Sequence, residues 1–71
     1  MPDWVPARRR QIGECLRAAR LQANLTQMQL GERVGRDHRT IHRREYAQRI
    51  PGLEDLLLLA DAVGVPLDEL V

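Results

Sequence analysis

The stretch TQMQLGERVGRDHRTIHRRE, Thr26 to Glu45, decides the fold of this 71-residue chain. It reads as two short helices joined by a tight turn. Thr26 is a good N-cap residue, and Gln29 three positions later completes a capping-box pattern ahead of the apolar Leu30 and Val34, so a helix is expected over 27–34. Gly35 supplies the positive φ that a tight turn needs, and Asp37 is placed to cap a further helix over about 38–46. The residues after the glycine include Arg36, His38, Arg39, His42, Arg43 and Arg44. A core-facing helix would not carry so many charges, so they are expected to serve something outside the domain.

Working outward, residues 9–23 place Ile12, Leu16 and Ala19 at steps of four and three with Arg and Glu between them, one stripe of an amphipathic helix. Asn24 can take the left-handed conformation that ends it. Residues 1–8 hold Pro2, Pro6 and a lone Trp4 without periodicity and read as an arm ahead of a domain at 9–71. On the other side, after the 47–52 loop, Leu53, Leu56, Leu57, Ala60 and Val63 mark the core face of a fourth helix that Gly64 ends. Leu58 and Leu59 widen that stripe beyond what the core needs, and Val65, Leu67 and Leu70 suggest a last short helix. No strand pattern, internal repeat or low-complexity tract is present. A chain of this size buries only about 60% of its unfolded surface. The expected fold is therefore all-α, a compact bundle of about five short helices.

The net charge of +1 conceals a segregation. Residues 1–50 hold all 11 arginines against 5 acids, whereas 51–71 hold 5 acids and no base. Such a chain can turn a basic face to a polyanion. Cys15 stands alone, so no internal disulfide or cysteine metal cluster can form. The richest apolar run, LEDLLLLADAVGV, is interrupted by Glu54, Asp55 and Asp61 and is too short to span a bilayer, and the N-terminus lacks the apolar core of a signal peptide. A cytoplasmic location without a membrane partner is expected.

On a helical wheel at about 100° per residue with His38 at the origin, His42, Tyr46, Arg39 and Arg43 fall at about 40°, 80°, 100° and 140°, all on one side. Ile41 turns the other way, toward Leu30 and Val34. The helix before the glycine thus braces the one after it, which projects its charges outward. A helix about 10–12 Å across fits the major groove of B-DNA, where Arg can pair bidentately with guanine.

From about Ile12 to Val71 the chain resembles the helix-turn-helix domain of the Cro and lambda-repressor-like family, also called the XRE family. The resembling residues are LTQMQLGERVGRDHRTIHRRE and PGLEDLLLLADAVGVPLDEL. In them Gln27 opens the second helix, Leu30, Val34 and Ile41 hold apolar positions, Gly31 stands where a small residue is needed for helix contact, and Gly35 sits at the turn. The resemblance implies sequence-specific binding of double-stranded DNA by a repressor-like transcriptional regulator that pairs as a homodimer. It implies base contacts from Gln27, His38, Arg39 and Arg43. Thr26 and Thr40 resemble phosphate-contacting positions, His42 and Tyr46 share the DNA face, and Arg20 resembles an arginine that pairs with the glutamate ending the third helix, here Glu45. The chain departs from the family at Arg36 and Arg44, where relatives carry apolar residues. Arg44 falls at about 240° on the wheel, so its stem is expected to pack inward while its guanidinium reaches solvent, Glu45 or a phosphate.

Other chemistries have less behind them. His38 and His42 are spaced i, i+4, but zinc usually takes four ligands and no cysteine or second histidine pair accompanies them, so no metal is expected. An enzyme would need a cleft that small helices leave little room for, so neither catalysis nor a cofactor is expected, and no small-molecule ligand is evident. The alternative is a protein-interaction module of the same fold, such as an antitoxin-like or anti-repressor partner, contacting through Trp4, Leu21, Met28 and Leu58.

Overall fold

The computed structural model describes residues 2–49 and 51–71; Met1, at the head of the expected arm, and Ile50, in the expected loop, lie outside the described residues. Four α-helices follow one another: α1 (Trp4–Gln22), α2 (Gln27–Val34), α3 (His38–Glu45) and α4 (Leu53–Val63), with a single 3-10 turn at Leu67–Glu69. Helix α2 packs on both α3 and α4, α1 also packs on both, and the 3-10 turn packs on α4. The core takes one fully buried side chain from each α-helix, Leu16, Leu30, Ile41 and Leu59, and a fifth, Leu70, from just after the 3-10 turn. Leu25, Ala60 and Val63 fill in around them.

Local chemistry explains the boundaries of the central pair. Thr26 Oγ1 accepts from the Gln29 amide at 3.0 Å, and Gln29 Oε1 accepts from the Thr26 amide at 2.9 Å, closing the capping box. Gly35 ends α2 at φ 72°, and the Arg36 amide donates back to the Gly31 carbonyl at 2.8 Å. Helix α3 then starts at once on its Asp37 cap. Asn24 adopts φ 58° after α1, as its side chain permits, but Ala47 adopts φ 60° after α3 with no such excuse.

Two glycines allow backbones to touch. A Cβ on Gly31 would collide with the Arg36 carbonyl oxygen of the turn, and one on Gly13 would collide with the Glu45 carbonyl oxygen and lie 2.9 Å from that of Arg44. The middle of α1 thus rests directly on the end of α3, which sets the tilt of α3.

Three expectations are corrected. Residues Trp4–Arg8 are helical rather than an arm; Pro6 sits in the first turn, where its missing N–H has no intrahelical role. These turns carry no apolar stripe, and Trp4 within them is 66% exposed. The fifth helix is one 3-10 turn, since Pro66 starts it and Leu70 must already turn back into the core; Glu69 and Leu70 close i→i+3 bonds at 3.0 and 2.9 Å. In α4 the core face runs through Leu59, Ala60 and Val63, while Leu53 and Leu57 point outward. Five leucines in the seven residues 53–59 offer several possible faces, and packing against α2 and the 3-10 turn selected among them.

Candidate nucleic-acid interface

Asp37 begins the site. Its Oδ1 accepts from the Thr40 amide at 2.9 Å and from the Thr40 hydroxyl at 2.6 Å, so α3 starts from a fixed point. The Thr40 hydroxyl, then the Thr40 amide, hold the Asp37 carboxyl below its ordinary value of 3.8, with the charges of His38 and Arg39 adding in the same direction and desolvation opposing. From that start α3 exposes His38, Arg39, His42 and Arg43. Together with Gln27 from α2 and Gln48 beyond α3, these four line one shallow depression. Gln48 carried no periodicity or charge that could have singled it out in the sequence.

Behind this face lies a buried network. Arg20 on α1 pairs with Glu45 at the end of α3, Nε to Oε2 at 2.7 Å and Nη2 to Oε1 at 3.1 Å, while its Nη1 donates to the Leu25 carbonyl at 2.8 Å. The two side chains are 9% and 0% exposed, so the bidentate geometry and the third bond must offset a large desolvation cost. Gln27 Nε2 donates to Glu45 Oε1 at 3.4 Å and lies 3.4 Å from His42 Nδ1. The amide head of Gln27 is thereby suspended between the buried pair and the exposed face. The His42 and Tyr46 rings meet with centroids 4.5 Å apart, tilted by 34°.

The residues expected on the DNA side therefore separate into groups. Gln27, His38, Arg39, His42 and Arg43 converge. Thr26 lines an adjoining cleft with Leu21 and Met28 that Gln27 and His38 share, and Tyr46 borders another beside Arg10, Glu14 and Arg17. Thr40 faces a third cleft with Arg36 and Arg44. There Asp55 on α4 accepts from Arg36 Nη2 at 3.1 Å through Oδ1 and from Arg44 Nη2 at 2.9 Å through Oδ2. The inward-pointing Arg44 thus finds its counter-ion on α4 rather than in Glu45 or solvent. The polar residues at positions 36 and 44 signalled that a partner was needed; which carboxylate it was depended on where α4 docks. Arg33 on α2 also reaches α4, donating to the Ala62 carbonyl at 3.0 Å. Among the described residues no three His, Cys, Asp or Glu side chains group as metal ligands, and no helix is long and apolar enough to cross a membrane.

The fold has known counterparts. A family model described as a helix-turn-helix domain matches residues 11–71. The crystal structure of the restriction-modification controller protein C.AhdI from Aeromonas hydrophila superposes with a TM-score of 0.86 at 31% sequence identity, over 92% of this chain and 98% of that one. No curated protein sequence matches.

Proposed function

Since the chain belongs to the helix-turn-helix domain family and is a DNA-binding transcriptional regulator, we propose that it reads the major groove of duplex DNA with α3 and represses as a homodimer on a twofold site. The observation that carries this reading is the convergence of Gln27, His38, Arg39, His42 and Arg43 on one exposed face. Arg39 and Arg43 are one helical turn apart, so both enter a single groove, each able to make two hydrogen bonds to a guanine edge worth about 1–3 kcal/mol of discrimination. Gln27, held near Glu45, presents an amide suited to adenine. Thr26, Tyr46 and the neighbouring helix starts flank the strand. The outward Leu53, Leu57, Leu58 and Val71, in the acidic C-terminal part, supply the apolar surface on which a second copy pairs away from the basic face.

Binding to a panel of single-base operator variants tests the assignment. Arg39→Ala and Arg43→Ala should each relax preference at one position of every half-site. Uniform loss across the panel would make both residues phosphate clamps and remove α3 as the specificity element.

A further inference from the structure

Gln27 and His42 meet at the edge of the base-facing depression, and the hydrogen bonds behind them run in one direction. They start at Glu45, whose side chain is 0% exposed and whose two oxygens accept from Arg20 Nε and Nη2. A carboxylate only accepts. The Gln27 amide, 3.4 Å from Glu45 Oε1, therefore turns its Nε2 that way, because the reverse orientation would set two acceptors against each other beside a buried charge. The backbone of Gln27 has no freedom to undo this, since it opens α2 directly after the Thr26–Gln29 capping box.

The same Nε2 lies 3.4 Å from His42 Nδ1. An amide nitrogen carries two hydrogens and accepts nothing, so with one hydrogen on Glu45 the other faces the ring, and Nδ1 must be bare to receive it. A neutral imidazole carries one proton, which is then on Nε2. Tyr46 packs on the ring, centroids 4.5 Å apart and tilted by 34°, and opposes its rotation. The exposed His42 is thus left with one donor, Nε2–H, and Gln27 with one acceptor, Oε1. Without the buried carboxylate each group could offer either sense of hydrogen bond.

We propose that Gln27 is a positioning residue that locks His42 in its Nε2–H tautomer, so that His42 meets a base edge as a donor alone. In the major groove a lone donor finds N7 of either purine, O6 of guanine or O4 of thymine, but nothing on cytosine, whose edge offers only the N4 amino donor. His42 therefore rejects cytosine at the base it meets. Gln27 Oε1, the complementary acceptor, takes an amino group of adenine or cytosine. This base preference rests on the DNA-binding reading above; the tautomer does not.

Gln27→Ala and Gln27→Lys test the lock. Alanine removes the donors, whereas the lysine ammonium supplies them again to Glu45 and His42 Nδ1. In one arm, nitrogen-15 NMR of the free chain at mildly alkaline pH reads the two ring nitrogens of His42. A bare Nδ1 with a protonated Nε2 is expected in the parent, exchange between both tautomers in Gln27→Ala, and return of the parent signature in Gln27→Lys. Mixed tautomers in the parent, or a signature that Gln27→Ala leaves unmoved, would overturn the proposal. In the other arm, single-base operator variants locate the pair at which His42→Ala loses preference. There the parent should bind the cytosine variant roughly tenfold more weakly than the preferred base, the size of an ordinary single-pair mismatch. That penalty should shrink in Gln27→Ala, because the other tautomer accepts from cytosine N4, and persist in Gln27→Lys. A Gln27→Ala loss spread evenly over the panel would reduce Gln27 to a brace and overturn the assigned preference. Failure of the parent to bind duplex would sink the DNA reading and the preference with it, while the ring spectrum decides the tautomer separately.

Discussion

Arg44 and Ala47 are the two residues whose surroundings fit them least. Arg44 occupies an inward position of α3, is 8% exposed, and leaves two nitrogens without partners among the described residues. Unpartnered buried donors cost more than an apolar side chain of similar length would. Arg44→Met should therefore raise stability by about 1 kcal/mol, read as a higher urea midpoint at constant slope, since Asp55 keeps Arg36 as its partner. A lower midpoint would mean that the Arg44–Asp55 contact contributes more than the burial costs. Ala47 holds φ 60° so that the Gln48 amide can donate to the Arg43 carbonyl at 2.8 Å. Its Cβ makes that conformation unfavourable by about 1 kcal/mol. Ala47→Gly is expected to recover most of this in thermal unfolding, and no gain would show that the left-handed residue is not strained.

At the scale of elements, α3 is eight residues long and could not persist alone in water. Its cap and its packing against α2 and α1 hold it. Because the Asp37 carboxyl titrates below 3.8 in the folded chain, the cap's contribution is fully present above that pH and is lost as pH falls through the lower folded value. Unfolding midpoints taken at descending pH should accordingly drop less for Asp37→Ala than for the parent chain over that acid range. Parallel curves would deny Asp37 a role in acid lability. On the opposite end of α3, Gly13→Ala would drive a methyl group into the Glu45 carbonyl and force α1 away. Overpacking of this kind costs about 1–3 kcal/mol, and here it should also impair DNA binding by tilting α3. A folded variant with unaltered affinity would break the link between that crossing and the interface.

For the whole molecule, the Arg20–Glu45 pair joins α1 to the end of α3 and, through the Leu25 carbonyl, to the loop before α2. Arg20→Ala should destabilise by about 3–5 kcal/mol because Glu45 is left charged and buried, yet it should leave the base preference of the folded fraction intact. Normal stability with lost specificity would place Arg20 at the DNA instead. Segregated charge acts at the same scale, with every arginine in 1–50 and a wholly acidic 51–71. The expected complex is a dimer with half-sites about 34–36 Å apart, acidic halves together and basic faces on the duplex. Mass measurement at saturating DNA checks this, and one monomer per asymmetric site would refute it.

The starts of α2 and α3, the turn chemistry and the outward face of α3 were legible in the sequence because they follow from local rules, whereas the start of α1 at Trp4 was not. Thr26 with Gln29, Gly35, Asn24 and Asp37 act within four residues of themselves, and the wheel places Arg39 and Arg43 without knowledge of any neighbour. The family resemblance supplied the Arg20–Glu45 pairing across 25 positions, which no local rule contains. Only the tertiary structure decided the rest. Five leucines in seven residues admit several core faces, and docking on α2 and the 3-10 turn chose Leu59 over Leu53 and Leu57. The same docking carried Asp55 to Arg36 and Arg44, making a cleft of two departures from the family pattern. Helical period and capping depend on near neighbours, whereas the choice among equivalent apolar faces, and every ion pair between helices, depends on how complete surfaces fit together.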